Sequence, residues 1–224
     1  MEDRDVMGAV VFVINSPGGS VVASHEIYDA IKNVTKPKVA YFREVAASGG
    51  YYIAMGTDYI ISDPDALTGS IGVVTTGMEM SGLLEEIGVN ATEITSGKHK
   101  DIGSPFRKMT EEERAILQTL INEIFEEFKG VVVENRGDRL DLEGFNGVID
   151  GRILSGRQAQ QIGLVDAIGT KQDAINKAAE LAGIPPEEVQ LCEISIVEPE
   201  TGLFSVKALQ SFFNTKKRLE VRFQ

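Results

Sequence analysis

Short apolar runs alternate with amphipathic stretches along the first part of the chain. Residues 9–14 (Ala-Val-Val-Phe-Val-Ile) form an apolar run rich in β-branched residues that stops before a Pro-Gly-Gly sequence. This pattern predicts a strand buried on both faces. Because parallel strands are joined by crossovers, the alternation indicates an α/β fold with mostly parallel strands, whose ligands collect at the carboxyl ends of the strands. The same reasoning gives strands over residues 38–42 and 58–62 and helices over residues 20–33 and 48–55.

A long amphipathic helix dominates the predicted second half. Thr110 and Glu113 have the spacing of a capping box, which marks the start of a helix. The apolar residues that follow recur every four positions and predict one apolar stripe (Ile116, Leu120, Ile124 and Phe128). Other predicted elements are strands over residues 70–75 and 90–95 and helices over residues 78–87, 155–162 and 170–181.

Composition narrows the range of functions. A chain of 224 residues suits one domain with its own core. The net charge of −12 argues against nucleic-acid binding, which needs clustered cations. One cysteine, Cys192, and two histidines cannot form a disulfide and supply a zinc site poorly, so we expect no metal and no other cofactor. No apolar run reaches the ~18 residues of a membrane helix, and the polar start does not resemble a secretory signal, so the chain itself is expected to be soluble.

Ser48 is the candidate nucleophile. It lies between Ala-Ala and Gly-Gly, where a strand should turn into a helix. Small neighbours leave room for a substrate carbonyl, and a helix start helps to stabilise a developing oxyanion. The structural alternative is a helix-capping serine flanked by small residues that allow tight packing.

Gly18 and Gly19 form a second glycine turn one βα unit earlier. Glycines after a strand let backbone N–H groups point outward as oxyanion donors. An ordinary tight turn is the alternative for each turn taken alone. Two such turns in successive units favour acyl-transfer chemistry.

The residues alone leave the general base open. His25 fits a structural role on its helix, and His99 lies between Lys98 and Lys100, whose charges would disfavour an imidazolium. A lysine base must be neutral, which requires a pKa shift of roughly three units, or about 4 kcal/mol. A lysine in a polar loop is ordinarily a solvated cation.

Five ordered motifs resemble the SppA-type signal peptide peptidases, which are serine proteases with a Ser/Lys dyad and the fold of Clp proteases and crotonases. The resemblance covers nearly the whole chain. The motifs lie at residues 14–20, 46–52, 67–72, 96–101 and 151–166.

The resemblance implies a role for each matched residue. Ser48 corresponds to the nucleophile, Lys100 to the base, and Ser70 to a serine that hydrogen-bonds the lysine amine. Gly18 or Gly19, together with the N–H of Gly49, corresponds to the oxyanion hole. Lys98 is then a bystander, and the alternative for Ser70 is a hydroxyl at a strand end.

The resemblance also implies a fold, an assembly and a location. The fold is a Clp/crotonase-like spiral of stacked ββα units with a long helix used for oligomerisation. Protomers form a dome-shaped ring in which serine and lysine meet across a subunit interface. The substrates are remnant signal peptides and other apolar, unstructured peptides. The catalytic domain lies outside the cytoplasm at the cell membrane, held by an anchor absent from this chain.

Three segments are expected. Residues 1–199 form the catalytic domain, which lacks strands and a helix that the family carries ahead of residue 10. Residues 200–218 form an amphipathic tail. Residues 219–224 resemble what a viral 3C-type protease leaves after tag removal. Two alternatives from other classes remain open: a crotonase-type acyl-CoA hydratase or isomerase, and an inactive ring-forming scaffold.

Overall fold

The computed structural model describes residues 7–194, and in this range the chain forms six strands and seven α-helices. All of them belong to a compact unit that ends at Val189, and residues 190–194 belong to a second unit. The predicted tail and the tag-like residues lie outside the described residues. The strands are β1 Val10–Ser16, β2 Lys38–Ala47, β3 Tyr59–Ser62, β4 Leu67–Gly69, β5 Ile153–Ser155 and β6 Ala167–Ile168. The helices are α1 Val21–Lys32, α2 Gly49–Ala54, α3 Ser81–Glu86, α4 Glu111–Arg136, α5 Leu142–Asn146, α6 Gly156–Gln161 and α7 Lys171–Ala182.

Strand β2 is the centre of one mostly parallel sheet. It pairs in parallel with β1 along one edge, and with β3 and then β4 along the other. Strand β3 pairs in parallel with β6, whereas β4 and β5 are antiparallel. The α/β class and the mostly parallel sheet are therefore confirmed.

Strand β1 is mostly half-buried and Val13 is 42% exposed, so the prediction that this strand is buried on both faces is wrong. Both faces of the central strand β2 are covered, which explains its continuous apolar run. Side chains alternate across a strand, so Phe42 of β2 packs into the larger core cluster, while Val39 and Tyr41 pack into a smaller one with α7. The larger cluster includes Tyr51 of α2 and Val132 of α4. Helices α2 and α4 are thereby fixed on one face of the sheet and α7 on the other.

A bulge redirects the ends of β1 and β2. The register runs from Val10 opposite Lys38 to Ile14 opposite Phe42, and then jumps to Ser16 opposite Ala46. The side chain of Asn15 accepts a hydrogen bond from the Val45 N–H at 3.1 Å, which holds the irregular segment. The two strands therefore end side by side.

A buried ion pair ties the end of α4 to the sheet. Arg136 and Asp166 are 3% and 5% exposed and form two hydrogen bonds of 2.8 and 3.0 Å. Asp166 also accepts from the Ile60 N–H, and Arg136 donates to the Gly163 carbonyl. Since every charged group is paired, removing one partner would cost about 3–5 kcal/mol.

The sequence prediction was correct for most of the long elements. Helix α4 begins with the predicted capping box of Thr110 and Glu113. Boxes also open α6 and α7, at Ser155 and Thr170. No helix within residues 7–194 is long and apolar enough to cross a membrane.

Two predicted strands are wrong. The strand expected over residues 70–75 is replaced by β4 just before it, because Gly69 and Ser70 have φ of 75° and 49° and end the strand. Residues 90–95 are exposed and have no strand beside them, so their apolar side chains gain nothing from an extended ladder. The intervening helix is shorter than expected and spans Ser81–Glu86.

The apolar stripe of α4 is only partly covered. Phe128 is buried and Ile124 is half-buried, whereas Ile116 and Leu120 are 38% and 51% exposed. The second half of the helix therefore packs on the core, while the first half leaves its apolar side chains exposed in the single chain.

Candidate active site

The two glycine turns lie against each other at the carboxyl ends of β1 and β2. A β-carbon built on Gly18 would lie 2.8 Å from the Gly49 nitrogen and 2.9 Å from the Ser48 β-carbon. One built on Gly50 would lie 2.5 Å from the Ser16 carbonyl oxygen. Gly18 also has φ of 111°, which L side chains rarely adopt. Only glycine fits at these positions.

Ser48 is held in a strained conformation between β2 and α2. Its φ of 52° and ψ of −122° are unusual for a residue with a side chain and cost of order 1–3 kcal/mol. Its N–H donates to the Gly69 carbonyl at 2.9 Å, and its carbonyl accepts from Tyr51 and Tyr52. The hydroxyl caps no helix and has no hydrogen-bond partner in the described range. The backbone is thus fixed while the hydroxyl stays free to react.

Two N–H groups near Ser48 have no partner among residues 7–194. The Gly18 N–H donates to the Ser16 hydroxyl, whereas those of Gly19 and Gly49 make no bond there. A β-carbon on Gly49 would lie 3.3 Å from the Gly19 nitrogen, so the two turns bring both N–H groups to one place. Unpaired N–H groups of this kind can donate hydrogen bonds to an oxyanion. Helix α2 is only six residues long, so these donors matter more than its dipole.

Two pockets flank residues 72–74, and Ser48 lines both. The first has a volume of about 130 Å³ and the second about 450 Å³. Residues of α1 and α4 line the first (Val21, Ser24, Ile124, Glu127 and Phe128, with Gly19, Gly49 and Tyr52). The second is lined by Ser70, Ile71, Ile121, Asn122, Phe125 and residues 149–151. A peptide lying along residues 72–74 could place side chains on both sides.

Ser70 shares the second pocket with Ser48. It is half-buried, its φ is 49°, and its N–H donates to the Arg152 carbonyl at 2.8 Å. Its hydroxyl has no partner in the described part of the chain. The two serine hydroxyls therefore line one pocket.

An ion pair lies at the second pocket. The Arg152 guanidinium donates to both oxygens of Asp150, at 2.8 and 2.6 Å, and lowers the pKa of that carboxyl to about 2. The Asp150 carboxylate lines the pocket, but its charge is balanced by the guanidinium.

Neither histidine lines the pockets at Ser48. His25 lies between Asp29 and Glu127, at 3.3 and 3.2 Å, and 3.4 Å from the Tyr52 hydroxyl. Burial raises the pKa of Tyr52 to about 12. His99 contacts Glu112 at 3.4 Å in the loop before α4.

Lys100 lies on an exposed loop and lines neither pocket. The Lys100 N–H donates to the Gly97 carbonyl at 3.1 Å, which forms a turn that presents the side chain to solvent. Lys98 is bound to Glu112, whereas Lys100 has no ion-pair partner within residues 7–194. Of the predicted site residues, the structure groups Ser48, Gly18, Gly19, Gly49 and Ser70 and leaves Lys100 apart.

Ion pairs anchor the Lys100 loop to the start of α4. Arg107 donates to Asp101 at 2.7 Å and binds both oxygens of Glu113, which is nearly fully buried. The Arg107 guanidinium and the Thr110 N–H lower the pKa of Glu113 to about 2, and Arg107 also lowers that of Asp101. Both carboxylates are therefore charged at neutral pH.

The sequence did not indicate Arg107, Glu127 or the Asp150–Arg152 pair. The sequence predicts Glu113 only as part of a capping box, because its contact with Arg107 depends on the fold of the loop. No group of three metal-ligating side chains occurs within residues 7–194.

Comparison with known proteins identifies the family. Residues 30–185 match peptidase family S49. The chain is 40% identical to "Putative protease MJ0651" of Methanocaldococcus jannaschii over 92% of its own length and 65% of that protein. It is 38% identical to "Putative signal peptide peptidase SppA" of Enterococcus faecium (88% and 55%), and 36% identical to "Serine protease SPPA, chloroplastic" of Arabidopsis thaliana (87% and 29%).

The chain thus spans less than two thirds of each of these three relatives. The family match favours a peptidase over an acyl-CoA hydratase or isomerase. The resemblance to SppA-type peptidases inferred from five motifs is confirmed, and the chain belongs to peptidase family S49.

Proposed function

We propose that this chain is the catalytic part of a serine endopeptidase in which Ser48 attacks the peptide carbonyl. One observation carries the proposal: Ser48 is strained, its hydroxyl is unpaired, and the neighbouring N–H groups of Gly19 and Gly49 also lack partners in the described range. The nucleophile and the oxyanion site are therefore adjacent, as acyl transfer requires.

The N–H groups of Gly19 and Gly49 form the oxyanion hole in this mechanism. Gly18 serves instead by letting the turns approach, since its own N–H is bound to Ser16. One such donor typically stabilises the transition state by about 3–4 kcal/mol.

Lys100 of a neighbouring subunit is the proposed base. Support comes from its exposure on an anchored loop and from the pairing of Ser48 and Ser70 in the second pocket. Burial in a pocket disfavours the ammonium form and lowers the lysine pKa. The Ser70 hydroxyl would orient the neutral amine toward Ser48.

The steps then follow. The neutral amine takes the Ser48 proton as Oγ attacks the carbonyl, and the oxyanion forms at Gly19 and Gly49. The lysine gives its proton to the leaving amine, which leaves an acyl-serine. A water molecule, deprotonated by the same lysine, releases the second product. Activity therefore rises with pH as the lysine loses its proton.

The proposal also covers how copies of the chain assemble and which peptides they cleave. The exposed first half of the α4 stripe, Ile116 and Leu120, suits contact with a second copy in a dome-shaped ring with the Clp/crotonase-like spiral fold. Apolar side chains in both pockets, among them Val73, Val74 and Phe125, support apolar, unstructured peptides, including remnant signal peptides, as substrates. A location outside the cytoplasm at the membrane rests on the family resemblance.

A fluorophosphonate probe tests the nucleophile. Intact-mass spectrometry should detect one adduct per chain in the native protein and none in Ser48→Ala. Because Ser70→Ala keeps the nucleophile, it should still be labelled, although more slowly. Labelling of Ser48→Ala at the native rate would contradict the assignment.

A further inference from the structure

We propose that the first pocket beside Ser48 binds a substrate side chain with an aliphatic stem and a cationic end, and that Glu127 determines this specificity. The inference rests on the proposed peptidase function and names part of its substrate. Lysine and arginine are the side chains of this shape.

The walls of the pocket suit an aliphatic stem. Val21 of α1, Val73 and Val74 of the chain beside Ser48, and Ile124 and Phe128 of α4 form an apolar slot of about 130 Å³. Glu127 is the one carboxylate among the residues that line it. A purely apolar side chain would fill the slot without making use of this charge.

Glu127 is oriented by His25, which lies outside the pocket and contacts Asp29 and Tyr52. His25 Nδ1 lies 3.2 Å from one carboxylate oxygen, and His25 Nε2 lies 3.3 Å from Asp29. The Tyr52 hydroxyl lies 3.4 Å from the same imidazole. The second oxygen of Glu127 has no partner among residues 7–194, and the side chain is 53% exposed. One oxygen is thus anchored and the other is free to accept from a substrate.

The combined charge of these carboxylates and the imidazole favours a cation at every relevant pH. Two carboxylates flank one imidazole, so the cluster carries two negative charges when His25 is neutral and one when it is protonated. Lys32 lies nearby but is occupied by the Tyr28 hydroxyl and Glu134. Because Glu127 is half-exposed, solvent screens its attraction for a cation, and added salt weakens that attraction further.

The alternative is that Glu127 serves only to hold His25. The two roles differ in one respect: a holding role changes the rates for all peptides together, whereas a specificity role changes the ratio between peptides. Fluorogenic peptides carry lysine, leucine or glutamate in turn at each of the four positions before the scissile bond. The kcat/KM values of these peptides give the ratio. Assays in low salt limit the screening of the Glu127 charge.

The native protein should prefer lysine over leucine at one of these positions by about tenfold. Glu127→Gln should abolish this preference, and Glu127→Lys should favour glutamate at the same position. Glu123→Gln, one turn earlier on α4 and outside both pockets, is the matched control and should keep the native ratio.

An unchanged lysine-to-leucine ratio in Glu127→Gln would overturn the inference, as would a native protein without a preference for lysine at any position. A loss of fluorophosphonate labelling at Ser48 would instead overturn the proposed function, and this inference with it. Thermal unfolding of each variant separates altered recognition from misfolding.

Discussion

The sheet edge that carries Ser48 and the loop that carries Lys100 are held in place by different forces. At the sheet edge, strand register and backbone contact fix the geometry, and glycines at 18 and 50 leave no space for a β-carbon. At the loop, Arg107 links Asp101 to the buried Glu113 by charge-assisted hydrogen bonds. The contacts that fix the first region involve uncharged backbone groups, whereas those of the second depend on ionised side chains.

This difference shows that a nucleophile and a base have different structural requirements. A nucleophile and its oxyanion donors must be positioned to within fractions of an ångström, which packed backbone achieves. A base on a surface loop needs only to be presented in one orientation to a neighbour. In the proposed assembly, burial of Lys100 in the pocket of a neighbour would disfavour its ammonium form.

The largest expected loss of activity follows from removing the proposed base, Lys100. Lys100→Ala should lower kcat/KM by about 10³-fold, because general base catalysis contributes 10²–10⁴-fold. Lys98→Ala is the control, since its side chain is bound to Glu112 on the surface, and it should stay within a few-fold of native. Steady-state assays on a fluorogenic peptide measure both. A dead Lys98→Ala with an active Lys100→Ala would reverse the assignment.

The next effect tests the packed sheet edge. Gly50→Ala forces a β-carbon against the Ser16 carbonyl and should destabilise the fold by about 2 kcal/mol or more and displace Ser48. Gly130→Ala on α4 meets no neighbour and should stabilise it by up to about 1 kcal/mol. Urea unfolding and fluorophosphonate labelling rates measure the two effects. Equal stability of the two variants would mean that the turns are not tightly packed.

The charged loop should respond more mildly. Arg107→Gln removes the link between Asp101 and Glu113, so we expect kcat to fall by about tenfold with little change in KM. Labelling of Ser48 by a small probe should fall in parallel only if the loop supplies the base. Arg107→Lys keeps the charge but not the forked geometry and should recover part of the rate. A native kcat in Arg107→Gln would show that the loop is positioned by other contacts.

The same link predicts a pH dependence of stability. The pKa of Glu113 is lowered to about 2 in the folded chain, below its ordinary value. Its contribution is therefore fully present above the unfolded pKa of ~4.5 and is lost as pH falls toward 2. Unfolding followed across this range should show a shallower loss in Glu113→Gln than in the native protein. Identical slopes would mean that Glu113 is not stabilised by its partners.

The smallest effect concerns the second pocket. Arg152→Gln leaves the Asp150 carboxylate unbalanced, which should favour the ammonium form of the incoming lysine and shift the basic limb of the pH–rate profile upward by about 0.5–1 unit. Asp150→Asn leaves the guanidinium and should shift it downward. Shifts in the same direction would show that Lys100 does not titrate near this pair.

Local patterns predicted much of the fold. The strand before Gly18 and the boxes at Thr110, Ser155 and Thr170 depend on neighbouring residues, so they can be read directly. Strands β5 and β6 have three and two residues and carry no periodicity. The strand predicted over residues 70–75 failed because the positive φ angles at Gly69 and Ser70 arise from packing against Arg152 and Leu154.

The candidate site also contains residues that the sequence predicts and residues that only the fold brings together. Ser48 and the glycines are visible in the sequence because a strand-to-helix turn is local. Glu127 contacts His25, which is far from it in the chain, so one sequence does not predict the contact. Asp150 lines a pocket that exists only in the folded chain, so its place in the site is not predicted either. The residues alone leave the base undecided, because nothing beside Lys100 in the sequence marks it as more than a solvated lysine.

Mixing two inactive variants tests the central claim most directly. Ser48→Ala and Lys100→Ala are combined in equal amounts under conditions of subunit exchange, which fluorescence transfer between labelled subunits verifies. If the serine and lysine of a site come from different subunits, random mixing gives about a quarter of the sites both groups, and peptide cleavage should recover to about that fraction of native. No recovery after complete exchange would contradict the account and place both residues in one chain.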